Sequence, residues 1–110
     1  YFFPTNGATH KMRGRRPTAK ESRWMTKVAE LGCIVCLDQY DIQSPAEIHH
    51  IEGRTQRGAH FLVLPLCFRH HREGNLTELD ASRHPWKSDF EERYGTEQHL
   101  LGLVKEMLGR

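Results

Sequence analysis

The residues best suited to binding a metal ion are concentrated between positions 33 and 71 of this chain. This window holds all three cysteines and five of the eight histidines, in the segments Cys33-Ile-Val-Cys36, Ile48-His-His-Ile51, His60 and Leu66-Cys-Phe-Arg-His-His71. Two pairs with a two-residue gap, separated by a long insertion, are how a chain builds one tetrahedral zinc site from two turns. The remaining histidines exceed what that site requires. The sequence therefore predicts one metal site that stabilises the fold and a second that could do chemistry.

The predicted ligands of the first site are Cys33, Cys36, Cys67 and His70. The segment Cys67-x-x-His70 has the same two-residue gap as Cys33-x-x-Cys36. Four protein ligands fill a tetrahedron and leave no position for substrate, so the site is predicted to be structural and to bind Zn²⁺. The alternative is that the cysteines are small buried apolar residues, which the two separate gaps disfavour.

The second predicted site uses His49, His50 and His71. Adjacent residues on a β-strand point to opposite faces, so one of His49 and His50 can bind a metal while the other takes a proton. His71 follows a ligand of the first site at the start of a predicted helix, and it should point away from that site. A strand that supplies a ligand and a base, and a helix that supplies another ligand, suit metal-assisted hydrolysis. The alternative is a histidine that only packs or hydrogen-bonds in the core.

Length and composition limit the setting of these sites. A chain of 110 residues is one domain, and 37% hydrophobic residues with a mean hydropathy of −0.69 give it a small core. A structural metal would offset that deficit. Three cysteines cannot all pair, and the sequence has no signal peptide or long apolar run, so we expect a reduced, intracellular protein without membrane contact. Because the chain opens with Tyr1, we expect it to be processed or partial.

Positive charge is concentrated near the amino terminus. Residues 1–27 carry seven Lys or Arg against one acid, whereas residues 28–110 carry nine against thirteen. Gly14 and Pro17 disfavour a continuous helix, so residues 1–17 are predicted to form an extended basic arm that binds phosphate without reading sequence. A solvated tail is the alternative. The predicted DNA-binding residues, including two in the loop after the histidine pair, are Lys11, Arg13, Arg15, Arg16, Lys20, Arg54 and Arg57.

The elements that must position these residues are also signalled in the sequence. A capping box from Thr18 to Glu21 predicts a helix that ends at Gly32, and residues 37–46 are predicted to be a loop. The runs Glu47–Ile51 and Phe61–Leu64 are predicted to pair as a hairpin. A short helix is predicted from about Cys67 through His71.

The carboxyl-terminal part of the chain is predicted to support this core. Trp86, Phe90 and Tyr94 are spaced along one face of a predicted helix that stops at Gly95. Thr96 can cap a last helix. Its apolar stripe, for which packing against the core is favoured over binding a partner, comprises Leu100, Leu101, Val104, Met107 and Leu108.

Taken together, these segments resemble the HNH (ββα-metal) endonucleases, which cleave phosphodiester bonds in DNA. A narrower resemblance is to the recombination enhancement function (Ref) nucleases of temperate bacteriophages, which are directed by the RecA filament. It is carried by Thr9-His-Lys-Met-Arg-Gly-Arg-Arg-Pro17, Leu31-Gly-Cys-Ile-Val-Cys36, Ile48-His-His-Ile51, Leu64-Pro-Leu-Cys67 and His84-Pro-Trp-Lys-Ser-Asp-Phe-Glu-Glu-Arg-Tyr-Gly95.

The HNH resemblance implies a role for each of these residues. His49 and His71 would bind the catalytic metal, and His50 would be the general base. The central Asn of the HNH name, which orients the base, would fall where this chain has His60. His60 departs from the pattern, but an imidazole can also donate a hydrogen bond, so His60 is the candidate catalytic residue for that role. Asn75 is the expected third ligand, with His84 as the fallback. The implied catalytic metal is Mg²⁺ or another divalent ion, and Zn²⁺ could occupy the site in an isolated preparation.

The sequence thus predicts a small α+β domain with a zinc-stabilised ββα-metal core, flanking helices and a basic arm. Residues 1–17 would form the arm and residues 18–110 the nuclease domain. The predicted function is a metal-dependent DNA endonuclease directed by RecA filaments in the cytoplasm of a bacterial host, acting on DNA with single-stranded or recombination-intermediate character. The alternatives are a zinc-stabilised, non-catalytic DNA-binding module and an HNH nicking endonuclease independent of RecA.

Overall fold

The computed structural model describes residues 16–53, 55 and 57–109. The elements found there are α1 (Ala19–Leu31), α2 (Ile34–Tyr40), β1 (Glu47–His50), a 3-10 turn (Ala59–Phe61), β2 (Val63–Leu66), α3 (Phe68–His71), α4 (Lys87–Tyr94) and α5 (Glu97–Met107). The prediction of a small α+β fold is confirmed. Most of the predicted basic arm lies outside the described residues. Within the part of the chain that the structure describes, no helix is both long enough and apolar enough to cross a bilayer.

Helix α1 begins with the predicted capping box. The Thr18 hydroxyl accepts a hydrogen bond from the Glu21 amide at 3.2 Å, and the Thr18 amide donates to the Glu21 carboxylate at 2.8 Å. This reciprocal pair satisfies two amides that a helix start leaves unpaired. One turn and two turns further on, Trp24 and Val28 are buried in the core. The helix therefore packs this face against the core.

The end of α1 brings the first cysteine turn close to the following loop. Gly32 has a φ of 92°, and a Cβ atom there would lie 2.9 Å from the Ser44 carbonyl oxygen. That oxygen accepts the Cys33 amide at 3.0 Å. A side chain at position 32 would therefore be strained and would collide with the backbone that holds Cys33 in position.

The prediction that residues 37–46 form a loop is wrong for its first part. Helix α2 continues through Tyr40 and ends at Asp41, which has a left-handed φ of 56°. Its start is capped by a thiol, since Cys33 Sγ accepts the Cys36 amide at 3.5 Å. The polar composition of residues 37–40 conceals this helix, because its start depends on a cysteine turn and not on a Ser, Thr, Asp or Asn cap.

The predicted hairpin is present, but the position of its second strand was wrong. Strand β1 pairs antiparallel with β2 so that His49 faces Leu64 and His50 faces Val63. The second strand was predicted at Phe61–Leu64, whereas it spans Val63–Leu66 because the 3-10 turn occupies Ala59–Phe61. The first strand ends one residue earlier than predicted. His60 lies before the second strand, as expected.

The remaining helices close the core over this hairpin. Phe90 and Tyr94 of α4, and Leu100, Leu101 and Val104 of α5, are buried in the same core cluster as residues of α1 and β2, and α5 lies against β2 and α2. The apolar stripe of the last helix therefore packs into the core for most of its length. Met107 is an exception to the prediction, because 48% of it is exposed at the end of the helix.

Candidate metal centres

The four predicted ligands of the first site meet at one point. Cys33 and Cys36 come from the turn before and within α2, and Cys67 and His70 from the N-cap and helix of α3. The Nδ1 atom of His70 lies 3.8, 3.7 and 3.2 Å from the sulfur atoms of Cys33, Cys36 and Cys67, and the last two sulfurs are 3.9 Å apart. A tetrahedral ion with bonds of about 2.3 Å separates its ligands by roughly 3.8 Å. The cluster therefore fits a metal ion such as zinc.

Hydrogen bonds around this cluster favour a bound cation. His70 Nε2 lies 3.1 Å from an oxygen of Asp80, and Asp80 also pairs with Arg69. Metal-binding histidines characteristically donate their second nitrogen to a carboxylate in this way, which leaves the other nitrogen for the ion. Hydrogen bonds from Cys33 and His70 lower the pKa of Cys67 despite its burial, whereas the contact with Cys67 and burial raise the pKa of Cys33, and burial raises the pKa of Cys36. The site thus favours a thiolate at Cys67, which is the form of a cysteine that binds a metal ion.

A second cluster joins three imidazoles from three segments. His49 of β1, His71 of α3 and His84 of the loop before α4 have ring centroids between 5.1 and 5.3 Å apart. Each can offer one nitrogen such that the three atoms lie within 4.8 Å of one another. His70 and His71 are neighbours on one helical turn, so their side chains point in different directions and serve different clusters. The second cluster has three protein donors, which leaves room for substrate or water on a bound ion.

Two carboxylates fix the orientation of these rings. Glu97, the first residue of α5, contacts His49 Nε2 at 2.5 Å, and Glu47, two residues before His49 on the same face of β1, contacts His71 Nδ1 at 2.8 Å. Burial alone would raise the pKa of Glu97, but hydrogen bonds from His49 and Arg83 outweigh it and hold that pKa at about 2. Glu97 is therefore a charged acceptor.

The electrostatics around His71 and His84 favour neutral imidazoles. Burial lowers the pKa of His71, against an opposing hydrogen bond to Glu47. Burial also lowers the pKa of His84, and the nearby charges of His49, Arg83 and His71 add to the effect. A neutral imidazole has the lone pair that a metal ion needs. The donor set fits a transition-metal ion better than a magnesium ion, which prefers oxygen ligands.

A separate pair of histidines lies beside this cluster. His50 follows His49 on β1, and its Nε2 atom is 2.9 Å from Nδ1 of His60 in the 3-10 turn. His60 is buried, with 6% of it exposed, whereas His50 is only partly buried. The adjacent residues His49 and His50 thus point to different sides of the strand, as the pleat requires. His49 belongs to the three-histidine cluster, and His50 pairs with His60.

The residue that joins His49 and His71 in the second cluster is His84, whereas Asn75 was the expected third ligand. His84, the fallback, lies among the three rings, and its amide donates to the His71 carbonyl at 2.9 Å. Asn75 accepts the Ser82 amide with its backbone oxygen, and its side-chain nitrogen is buried without a hydrogen-bond partner among the described residues. A ligand role for Asn75 therefore stays a prediction.

Sequence reasoning missed the three carboxylates that hold the histidines. Glu47 could have been recognised from the sequence, because it lies two residues before His49 and shares its strand face. Asp80 and Glu97 could not, since only the packing of a loop and of α5 brings them to His70 and His49.

Of the predicted DNA-binding residues, Arg16, Lys20 and Arg57 are exposed. The other four, Lys11, Arg13, Arg15 and Arg54, lie outside the described residues.

A Cys3His cluster with four protein donors, beside a three-histidine cluster with three, defines a small protein with one closed site suited to stability and one site suited to metal-assisted chemistry. The family model described as recombination enhancement, RecA-dependent nuclease matches residues 17–109, and the chain belongs to that family. The predicted resemblance to the Ref nucleases is thereby confirmed. Membership makes the chain a nuclease of DNA recombination with a relationship to RecA.

Proposed function

We propose that this protein is an HNH-type, metal-dependent DNA endonuclease whose cleavage is directed by RecA filaments during phage or host recombination. The observation that carries the proposal is the division of the adjacent His49 and His50 between a three-imidazole cluster and a separate histidine pair. A hydrolase needs a charge-stabilising centre and a base close together but chemically distinct. The family relationship supports the substrate class and the link to RecA.

In this proposal, His49, His71 and His84 hold the catalytic metal. When bound, a divalent ion would polarise the scissile phosphate and stabilise the leaving oxygen. Zn²⁺ or another transition-metal ion suits three imidazoles, whereas Mg²⁺ would have to draw further ligands from phosphate and water. Cys33, Cys36, Cys67 and His70 would hold a structural Zn²⁺ that fixes α3, and with it His71.

His50 acts as the general base, and His60 takes the orienting role of the missing Asn. If Nε2–H of His50 donates to Nδ1 of His60, the lone pair of His50 lies on Nδ1, the nitrogen that accepts a proton from water. The 2.9 Å contact then holds the ring in place and stabilises the imidazolium that forms. An imidazole can therefore replace an amide in this role, because both groups offer an acceptor to the base.

The nuclease assay that tests this function uses DNA with single-stranded regions, each of Mg²⁺, Mn²⁺ and Zn²⁺, and RecA filaments present or absent. We expect cleavage that requires a divalent ion and is strongly increased by RecA filaments. Cleavage at the same rate without RecA would identify an autonomous nicking endonuclease. No cleavage with any ion or filament would identify a non-catalytic DNA-binding module.

The loop between the strands supplies a second test, because we expect Arg54 and Arg57 to contact phosphate near the scissile bond. Replacing both with alanine should weaken DNA binding and reduce the salt dependence of log K by about 2, roughly one per lost phosphate contact. Binding isotherms at several salt concentrations measure both quantities. The matched control is Lys87→Ala with Lys105→Ala, which removes the same charge from exposed positions on α4 and α5. Equal effects in the two double variants would mean that net charge, and not this loop, is responsible.

A further inference from the structure

Glu97 is a charged carboxylate that is buried in the protein. It is 4% exposed, and its Oε2 atom accepts hydrogen bonds from His49 Nε2 and from Arg83 Nε, the latter at 2.8 Å. Burying a charged group is costly unless it is paired and hydrogen-bonded, and an apolar residue would pack at this position without that cost. The location at the first turn of α5 favours an acid, but it does not require contact with a histidine.

Glu47 repeats the arrangement on the neighbouring ligand. Its Oε1 atom contacts His71 Nδ1, and Arg72 donates to both of its oxygens at 2.9 and 2.8 Å. Each carboxylate is therefore held by an arginine and directed at one ring nitrogen of a histidine in the second cluster. The two contacted nitrogens are not equivalent, since His49 is held through Nε2 and His71 through Nδ1.

This difference determines which nitrogen each ring can offer to an ion. A neutral imidazole has one N–H and one lone pair, so donation to a carboxylate from one nitrogen leaves the lone pair on the other. We propose that Glu97 and Glu47 are positioning residues that hold His49 and His71 in opposite tautomers, so that Nδ1 of His49 and Nε2 of His71 face the same ion. The proposal rests on the metal site of the proposed function and specifies how that site is assembled.

The arginines complete the arrangement. Arg83 is largely enclosed with Glu97, and Arg72 lies over the Phe68 ring at 4.8 Å while it binds Glu47. Each arginine keeps its carboxylate ionised and fixes its direction. The carboxylate therefore accepts a hydrogen bond from the imidazole and has no proton to donate to the imidazole lone pair. The second cluster is thus prepared before an ion arrives, which raises the affinity for the ion because less ordering is needed on binding.

The test compares Glu97→Gln and Glu47→Gln with the wild type by titration with Co²⁺. Thiolate-to-cobalt charge-transfer bands report the Cys3His site, and ligand-field bands without thiolate character report the histidine site. We expect each variant to weaken binding at the histidine site by about 10- to 100-fold while the thiolate site keeps its affinity. Glu106→Gln, which changes an exposed acid on the same helix as Glu97, serves as the matched control and should bind as the wild type.

A second measurement reports on the tautomers directly. Long-range ¹H–¹⁵N correlation spectra of the Zn²⁺-loaded full chain should give Nε2–H for His49 and Nδ1–H for His71. The same tautomer on both rings, or unchanged Co²⁺ affinity in both variants, would overturn the proposal while leaving a metal-dependent nuclease intact. A wild type that binds no second ion would overturn the proposed metal site together with this inference. Glu47 is one-third exposed, so its variant keeps the test valid if Glu97→Gln fails to fold.

Discussion

Replacing His70 with alanine is expected to unfold the protein, whereas replacing the adjacent His71 with alanine leaves it folded and inactive. His70 belongs to the four-donor Cys3His cluster that joins the turn before α2 to α3. Zinc binding at such clusters contributes about 10–16 kcal/mol in small peptides, which is comparable to the entire stability of a domain, about 5–15 kcal/mol. His71 contributes a hydrogen bond to Glu47, whose loss costs about 1–3 kcal/mol.

Thermal melting by circular dichroism and metal analysis measure these two outcomes. The wild type and His71→Ala should melt cooperatively and retain the thiolate-bound ion, whereas His70→Ala should lose both properties. If His70→Ala melts near the wild-type temperature with its zinc retained, the Cys3His cluster does not support the fold. If both variants unfold alike, the division of the histidines between two sites is wrong.

The same experiment identifies the third ligand. His84→Ala should behave like His71→Ala, with a stable fold, an occupied thiolate site and a weakened second site. Asn75→Ala should leave the second site unaffected if the three rings alone hold the ion. A loss of the second ion in Asn75→Ala but not in His84→Ala would identify Asn75 as the third ligand, as the HNH resemblance implies.

The sequence predicts the first cluster well because its information is local. Each half is a short segment in which a two-residue gap fixes the separation of two donors. The capping box at Thr18 is local for the same reason, and it has the predicted hydrogen bonds. Local signals of this kind survive folding because tertiary packing has little freedom to change them.

The second cluster depends on packing that no spacing encodes. His84 reaches His49 only because a loop returns from α3 to α4, and Glu97 reaches it only because α5 lies against the hairpin. The second strand was misplaced because Phe61–Leu64 has the composition of a strand, while a 3-10 turn at Ala59–Phe61 delays pairing to Val63. The same turn brings His60 into contact with His50. The 3-10 turn therefore explains both the misplaced second strand and the histidine pair.

His50→Ala is expected to reduce DNA cleavage by about 10²- to 10⁴-fold, the usual contribution of a general base, while fold, metal content and DNA binding are unchanged. His50 is not among the three rings that converge with His49, and it contacts His60 instead, so its removal takes away a proton acceptor without emptying either cluster. Cleavage by the RecA-directed reaction, zinc content and DNA affinity should be measured on one preparation. His99→Ala, an exposed histidine on α5, is the matched control and should cleave at the wild-type rate.

His60→Asn separates the orienting role from the base. Asparagine restores the amide of the HNH pattern and can still offer an oxygen to His50, so cleavage should be partly retained, whereas His60→Ala should lose most of it. Added imidazole should partly restore cleavage to His50→Ala, because a diffusible base can replace the missing ring. Full activity in His50→Ala would assign the base to another group. Loss of zinc in that variant would instead make His50 part of the metal centre, and the separation of chemistry between two adjacent strand residues would then be wrong.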